Sequence, residues 1–424
     1  MIPIIRIHGA ARLGFALALL LGSFTSAVAQ DDATPAAGAV AGTIYAMTNS
    51  LARNEVVAYN RAADGALTPA GHFDTGGTGS GSFENSATSL IVASSEGQSS
   101  PVDLGGGNDL VIAANAGSDT VSVFRATDGG LELVETEDSG GERPTSLTVH
   151  SGMLYVLNSA GEAGGAGLCF GGNPNISGFT IAGSGELEPI ANSTQELSGG
   201  PISGCAQVSF SPDGELLLVS QITANTITAF PVTDDGTLGD PIENAPAGNG
   251  PFGYTFDGEG RLLLTQNSQA ATGLGTVASY ALEEDGRLAV IGESVATGET
   301  DPCWVVVTPD GAYAFVTNFG PSGLLGGVSD AARRGTVSSF RIGDDGALEL
   351  LDAEAAQLGV GAADMAIAGD GGYLYALNTV EGSITGFAIG EDGSLTLITA
   401  VGGLPTNAIG PLPLNMGLAS RDAG

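Results

Sequence analysis

The chain lacks lysine altogether: its 12 basic residues are all arginine, against 47 aspartates and glutamates. The formal net charge is -35 over 424 residues. A surplus of this sign repels polyanions, so we expect neither nucleic acid nor an anionic membrane surface as a partner. A phosphorylated ligand is also disfavoured, because phosphate is ordinarily held by guanidinium or ammonium groups.

The common catalytic and metal-binding signatures are missing as well. The sequence contains no G-x-S-x-G, H-E-x-x-H or D-x-[DN]-x-[DN]-G pattern and no zinc-like cysteine spacing. Histidine, the usual general base near neutral pH, is scarce. His8 lies in the leader, His72 in a predicted outer strand and His150 in a compact turn. We therefore expect no cofactor, while the sequence leaves open whether a divalent metal binds.

No apolar run is long enough for a membrane span. The run at residues 13–21 is about half of the roughly 20 apolar residues that a spanning helix needs. Arg6 and Arg12 precede this run and small residues follow it, which is typical of a secretory signal peptide over residues 1–29. We expect export to the periplasm or the medium, no membrane insertion after cleavage, and a flexible segment over residues 30–42.

Cysteine is rare and odd in number, with Cys169, Cys205 and Cys303. In an oxidising compartment at most one internal disulfide can form. Cys169 lies in a long predicted loop that precedes the repeat opened by Cys205. We predict a Cys169–Cys205 bridge with Cys303 free; the alternative is three unpaired cysteines.

Glycine, by contrast, is abundant, with 68 residues, and it marks an internal repeat. A short strand ending in a polar amide, a loop, a second strand and a glycine turn recur seven times in one order. The turns suit antiparallel strands because glycine adopts a positive φ at no steric cost. The turn glycines are Gly65, Gly129, Gly185, Gly236, Gly286, Gly346 and Gly393.

A fourth, innermost strand precedes the compact turns of several repeats, as in Ala206-Gln-Val-Ser-Phe-Ser-Pro-Asp-Gly214. Seven units of four strands predict an all-β, seven-bladed β-propeller over residues 43–418, with a tail at 419–424. A row of separate β-sandwiches is the alternative. The first repeat lacks an inner strand, so we predict that residues 405–409 pair with residues 43–49 and close the ring. We expect a monomer.

The lengths of the connections distinguish the two ends of such a propeller. The end with the compact turns is called the turn face, and the opposite end, with the long connections 159–175, 268–275 and 319–335, is called the loop face. Long loops on a rigid scaffold commonly bind ligands, so the loop face is the predicted working face. The polar residues predicted to bind substrate there are Asn115, Asn158, Gln207, Gln221, Asn318 and Asn378.

These amides have a second interpretation, because asparagine at a strand end often caps its own backbone turn. For hydrolysis, Asp301 or Asp364 would have to activate water, and Arg143 would stabilise the oxyanion. The alternative is that these carboxylates are ordinary solvated groups between blades.

Four segments resemble the lactonase-type seven-bladed propellers. They are Ala206-Gln-Val-Ser-Phe-Ser-Pro-Asp-Gly214, Gly250-Pro-Phe-Gly253, Cys303-Trp-Val-Val-Val-Thr-Pro-Asp-Gly311 and Asp364-Met-Ala-Ile367. The resemblance implies a lactone as substrate class, since some members hydrolyse 6-phosphogluconolactone or cyclise carboxymuconate. This chain departs from the catalytic members after Gly204, where Cys205-Ala206-Gln207 replaces the Pro-His pair often found there, so a catalytic histidine is not carried over.

Two functions remain open at this stage. One is a secreted hydrolase of an uncharged or weakly charged sugar-type lactone, and the other is a noncatalytic propeller that binds carbohydrate or protein through its loop face. A six-bladed, metal-dependent gluconolactonase is disfavoured by the count of seven repeats and by the lack of a recognisable ligand set.

Overall fold

A computed structural model describes residues 39–93, 109–161, 172–320, 334–368, 370–406 and 416–423. The predicted signal peptide and most of the segment after it lie outside these residues. The described strands form seven antiparallel sheets around one axis, so the predicted seven-bladed β-propeller is confirmed.

Each sheet is one blade and runs outward from the axis, and the innermost strand is given first. Blade 1 contains β29 (Met416–Asp422), β1 (Val40–Met47), β2 (Glu55–Ala62) and β3 (Leu67–Asp74). Blade 2 contains β4 (Leu90–Ala93), β5 (Leu110–Asn115), β6 (Thr120–Thr127) and β7 (Gly130–Asp138). Blade 3 contains β8 (Pro144–His150), β9 (Met153–Asn158) and β10 (Asn175–Ile181), with β11 (Leu187–Pro189) and β12 (Gln195–Glu196) both paired to β10.

The remaining four blades follow the same order. Blade 4 contains β13 (Cys205–Phe210), β14 (Leu216–Gln221), β15 (Thr226–Pro231) and β16 (Ile242–Asn244). Blade 5 contains β17 (Pro251–Phe256), β18 (Leu262–Gln266), β19 (Thr276–Leu282) and β20 (Leu288–Ala296). Blade 6 contains β21 (Pro302–Val307), β22 (Tyr313–Asn318), β23 (Arg334–Ile342) and β24 (Leu348–Val360). Blade 7 contains β25 (Ala362–Ile367), β26 (Tyr373–Asn378), β27 (Ser383–Ile389) and β28 (Leu395–Val401).

Two short 3-10 helices, Gly200–Ile202 and Ser268–Ala270, lie in connections on the loop face. In the part of the chain that the structure describes, no helix has the length and apolar character of a membrane span.

The ring closes through the C-terminus, but not through the predicted segment. Strand β29 pairs with β1 from Gly42 opposite Asp422 to Met47 opposite Met416. The prediction that residues 405–409 form this strand is wrong. Residues 404–406 lie outside any strand, and residues 407–409 lie outside the described part of the chain. Leu404, just before the predicted segment, is buried in the core between blades 7 and 1. The closing strand also takes up residues 419–422 of the predicted tail.

The glycine turns dock onto neighbouring blades. The hydroxyl of Tyr375 in blade 7 donates to the carbonyl of Gly65 in blade 1 at 2.8 Å. A Cβ on Gly65, whose φ is +81°, would lie 2.6 Å from the ring of Tyr373. Glycine is therefore needed at this position for its backbone conformation and also for the close approach of the next blade.

The inner strands share a second feature near their loop-face ends, where the pairing register with the next strand shifts. The shifts fall between Pro144 and Ser146, Cys205 and Gln207, Pro251 and Tyr254, Pro302 and Trp304, and Ala362 and Met365. A β-bulge re-aims the side chains beside it. The register of β29 shifts in the same way between Met416 and Leu418, so six blades carry a bulge at one level around the axis.

Replacing Gly65 by alanine should lower stability more than replacing Gly311. Both have a positive φ, +81° and +70°, but a Cβ on Gly311 meets nothing within 4 Å. Each alanine carries the left-handed backbone cost of about 1–2 kcal/mol. Gly65→Ala additionally overpacks the junction between blades 7 and 1, which costs about 1–3 kcal/mol. Denaturant unfolding of the two variants measures the difference, and equal destabilisation would contradict this docking role.

Candidate functional site

The inner strands of all seven blades surround a cavity of about 540 Å³ on the propeller axis, here called the axial cavity. Its walls mix apolar side chains with hydroxyls and a few other polar groups. The described part of the lining contains no arginine or lysine. A concave site with a few convergent polar groups on mostly apolar walls is typical of small-molecule binding.

Among the residues that the structure describes, the axial cavity opens on the turn face. Its lining includes His150, Pro212 and Gly258, which lie at the compact turns, and the last two are exposed. At the opposite end the lining residues are buried. The prediction that the ligand enters through the loop face is therefore not supported by the position of this cavity.

The loop-face end is closed by the connection between blades 1 and 2, residues 75–89, here called the link segment. The amide of Ala87 donates to the carbonyl of Ala206 in blade 4 at 3.0 Å. Phe83 packs against Phe319 of blade 6, with ring centroids 5.3 Å apart. Contacts with blades 4 and 6 show that this segment crosses the axis. The link segment is not one of the three long connections that the sequence predicted for this face.

Asp364 lies at the closed end of the axial cavity. Its carboxylate accepts hydrogen bonds from the backbone amides of Met365 at 2.9 Å and Leu418 at 3.2 Å. Leu418 belongs to the closing strand, so ring closure holds this side chain in place. Asp364 is 8% exposed, and burial raises the pKa of its carboxyl to about 7, although the backbone amides that it binds oppose the rise.

Gln207 and Trp304 line the same end, each just after the bulge of its strand. The Gln207 amide makes two hydrogen bonds to the backbone of Tyr254, donating to the carbonyl at 2.8 Å and accepting from the N–H at 2.9 Å. It thereby links blade 4 to blade 5. Trp304 packs edge-on against Phe252, with ring centroids 5.2 Å apart.

Asp301, the other predicted general base, lies outside the lining of the axial cavity. It precedes β21 with a φ of +58° and is 9% exposed. Its carboxylate accepts a hydrogen bond from the Cys303 thiol at 3.4 Å. Burial raises the pKa of this carboxyl to about 6, opposed by hydrogen bonds from Cys303 and Asn267. The arrangement is a buried polar junction between blades 5 and 6.

Arg143, the predicted oxyanion donor, is engaged in a buried ion pair. Its guanidinium lies 2.7 Å from the carboxylate of Glu84 in the link segment. Burial raises the pKa of Glu84, and the charge of Arg143 opposes that rise. Because the link segment closes the loop-face end, this pair ties it to blade 3. Arg334, at the start of β23, also has an acidic partner, since its guanidinium lies 3.4 Å from the carboxylate of Glu381.

Five of the predicted substrate-binding amides are buried inside their own blades. Asn115 shows the common pattern, donating to Thr120 at 3.1 Å and to Ser122 at 2.7 Å on the next strand. Asn158, Gln221, Asn318 and Asn378 donate in the same way to side chains of the third strand of their blades. These five residues therefore bind the neighbouring strand of their own blade, and of the predicted amides Gln207 lines the axial cavity.

The cysteines follow the predicted chemistry as far as the described residues reach. Cys303 is a free, buried thiol, and Cys205 is disulfide-bonded. Cys169 lies outside the described residues, so its pairing with Cys205 stays a prediction. Within the described ranges, no group of three or more histidine, cysteine, aspartate or glutamate side chains is arranged to hold a metal ion.

Trp304 is the cavity residue that sequence reasoning missed. It occupies the place in β21 that Gln207 occupies in β13, immediately after a bulge. The aligned inner-strand segments of the repeats contained this signal, since Gln207, Trp304 and Asp364 stand at the same distance before the compact turns.

No family model matches the chain. Over 103 residues it is 32% identical to a 6-phosphogluconolactonase of Cronobacter sakazakii, and that stretch covers 24% of this chain and 29% of the other protein. The match thus spans less than a third of that relative's length.

Solved structures match over a much larger part of the chain. A protein of Bacteroides fragilis, provisionally described as a 6-phosphogluconolactonase, superimposes with a TM-score of 0.63 at 19% identity, covering 92% of this chain and 100% of that one. The periplasmic gluconolactonase of Pseudomonas aeruginosa gives a TM-score of 0.54 at 19% identity, covering 71% of this chain and 84% of that one. These likenesses confirm the resemblance to lactonase-type propellers at the level of the fold.

Replacing Asp301 by asparagine should remove a pH-dependent loss of stability. A carboxyl whose pKa is raised to about 6 stabilises the fold when protonated, so its contribution is present below about pH 4 and is lost as the pH rises to about 6. We expect Asp301→Asn to be more stable than wild type at pH 7 by on the order of 2–3 kcal/mol, with little difference at pH 4. Asparagine also tolerates the positive φ at this position.

Chemical denaturation at the two pH values measures this difference. The exposed Asp240→Asn removes the same charge and is the matched control. A gain for Asp301→Asn that is the same at both pH values would contradict the titration of Asp301.

Proposed function

We propose that this propeller binds an uncharged sugar-type lactone in the axial cavity and hydrolyses it, with Asp364 as the general base. One observation carries the proposal: the closed end of the cavity holds a buried carboxyl whose pKa is raised to about 7. A general base works best when its pKa lies near the operating pH. A strongly shifted carboxyl in a cleft is also a common mark of a functional site.

The chemistry requires one water molecule from solvent. Water attacks the lactone carbonyl carbon while the Asp364 carboxylate accepts one of its protons. The carbonyl oxygen then carries the negative charge of a tetrahedral intermediate. When this collapses, the ring C–O bond breaks and the leaving alkoxide takes the proton from Asp364. The product is an open-chain hydroxy acid, and the carboxylate of Asp364 is regenerated for the next cycle.

The charge of the cavity favours a neutral substrate. A phosphate group needs guanidinium or ammonium partners, and the described lining offers neither. Asp257, near the opening, is held by Arg261 at 2.7 Å, so that cation is already paired. The lining hydroxyls, among them Thr148, Ser209 and Thr255, suit a polyhydroxy compound.

The named activities of the structural relatives support lactone chemistry. One is named as a gluconolactonase and another provisionally as a 6-phosphogluconolactonase. For this chain we propose the unphosphorylated class because of the cavity's charge.

A noncatalytic carbohydrate-binding propeller is the second candidate. Five of the predicted amides are buried within the blades, and Arg143 is paired with Glu84, so these groups are not free to act on a substrate. Asp364 is the one predicted acid–base residue that lines the axial cavity. Binding without turnover would distinguish it from the hydrolase.

Replacing Asp364 by asparagine should abolish hydrolysis of unphosphorylated lactones. We expect kcat/KM to fall by at least about 100-fold, the usual contribution of a general base. In the wild type, kcat/KM should rise with pH and level off above about pH 7, because the base acts only when deprotonated. Asp301→Asn is the matched control and should keep its activity. Full activity of Asp364→Asn on a panel of lactones would eliminate Asp364 as the base.

We further propose that the mature protein is exported. The leader at residues 1–29 and the disulfide bond at Cys205 both suit an oxidising compartment. Expression of the full chain in a Gram-negative host should place it in the periplasm or medium with a new N-terminus near residue 30. Recovery of an uncleaved chain from the cytoplasm would contradict this proposal.

A further inference from the structure

One position of the inner strands, here called the middle ring, lies halfway along the axial cavity. In blades 2–7 this residue pairs with the residue three places before the end of the second strand, as Ser209 pairs with Leu218 and Val306 with Phe315. The same register gives one residue in each of the other four blades. The middle ring therefore shows which chemistry each blade presents at one level of the cavity.

Three adjacent blades present hydroxyl groups at the middle ring. The residues of blades 3, 4 and 5 are Thr148, Ser209 and Thr255, and all three line the axial cavity. Ser209 and Thr255 are half-buried. In the middle of an inner strand the neighbouring open space is the axial cavity, so the exposed atoms of these side chains lie in it. The same blades add His150 towards the opening. This side of the cavity is here called the polar sector.

The other four blades present apolar side chains at the same level. The residues of blades 6, 7, 1 and 2 are Val306, Ala366, Ala419 and Ile91. Val306 lines the cavity and is half-buried. The two hydroxyl side chains of the described lining on this side are engaged within the protein: Ser420 donates to the carbonyl of Ile367 at 2.6 Å, and the Thr88 hydroxyl lies 2.7 Å from that of Ser146. This side is here called the apolar sector.

The division into two sectors restricts the ligand. A ligand hydroxyl held against the apolar sector loses its water partners and gains no new one, which weakens binding. A hydrocarbon group held there gains affinity by leaving water. The cavity volume of about 540 Å³ is in the range that encloses drug-sized ligands, so the cavity has room for a ring that carries a substituent.

The position of Asp364 orients a lactone between the sectors. Asp364 lies two residues before Ala366 in β25, at the closed end of the apolar sector. In a 1,5-lactone, the carbonyl carbon, the ring oxygen and the carbon bonded to that oxygen form one edge of the ring, and the hydroxyl-bearing carbons form the other. With the ester edge at Asp364, the hydroxyls face the polar sector, and a substituent beside the ring oxygen lies against the apolar sector.

We propose that the axial cavity takes an amphiphilic lactone: a polyhydroxy 1,5-lactone with a hydrocarbon substituent on the carbon bonded to the ring oxygen. Its hydroxyls contact the polar sector, including Ser209 and Thr255, and its substituent contacts the apolar sector, including Val306 and Ile91. This inference rests on the proposed function and narrows its substrate class.

Three neutral lactams, which are not turned over, test the two sectors by calorimetry with the mature protein. D-glucono-1,5-lactam has only the hydroxyls, 6-pentylpiperidin-2-one has only a hydrocarbon chain, and 6-O-butyl-D-glucono-1,5-lactam has both. We expect the butyl compound to bind at least about tenfold more tightly than each of the other two. Binding of the butyl compound no tighter than that of either of the others would overturn the inference.

Two exchanges that keep the branched shape of the side chain test each sector separately. Val306→Thr adds a hydroxyl to the apolar sector, so we expect the preference for the butyl compound over gluconolactam to fall about fivefold. Thr255→Val removes a hydroxyl from the polar sector, so the preference for the butyl compound over pentylpiperidinone should fall about fivefold. Each variant is the control for the other. A loss of affinity that is equal for all three lactams would indicate a purely structural role and overturn the assignment of that sector.

The two proposals fail in different ways. If the lactams rank as expected and no lactone is hydrolysed, the proposed hydrolysis is wrong and the two-sector ligand site stands. If D-glucono-1,5-lactone is hydrolysed and the butyl lactam binds no better than its parent, the hydrolase stands and the amphiphilic substrate is wrong.

Discussion

The structure depends on closing a circle of seven blades. The pairing of β29 with β1 joins the two ends of the chain within one sheet, which leaves no exposed strand edge at the ring junction. Closure also fixes the distance between inner strands on opposite sides of the axis, and hence the width of the axial cavity. Asp364 shows the link to chemistry, because one of its hydrogen bonds comes from Leu418 of the closing strand.

Two buried carboxyl groups, those of Glu84 and Asp364, have different partners in this fold. Glu84 is buried opposite Arg143, whose charge opposes the rise in pKa that burial causes, and the pair fastens the link segment. Asp364 accepts hydrogen bonds from backbone amides, and burial raises the pKa of its carboxyl to about 7. The first arrangement secures a segment, whereas the second leaves a carboxyl that can take up and release a proton near neutral pH.

The sequence was most informative where structure is local. Strands, glycine turns and the number of blades follow from patterns within about 50 residues, and all of these were predicted correctly. The closing strand was placed too early in the chain, at residues 405–409 instead of Met416–Asp422. For the candidate site, Asp364 and Gln207 were predicted, while Asp301, Arg143 and the strand-end amides lie elsewhere. A residue type at a strand end does not reveal whether its partner is a ligand or the next strand, and loop length does not reveal which loop crosses the axis.

The link segment determines how small molecules can enter and leave the axial cavity. Because this segment crosses the axis and closes one end, the axial cavity, as far as the described residues outline it, is open at the other end alone. A molecule that leaves the cavity must pass through the opening by which it entered, so a second molecule can enter only after the first has left. Occupancy is therefore strictly sequential, and a molecule too bulky to pass the turn-face rim blocks arrival and departure alike.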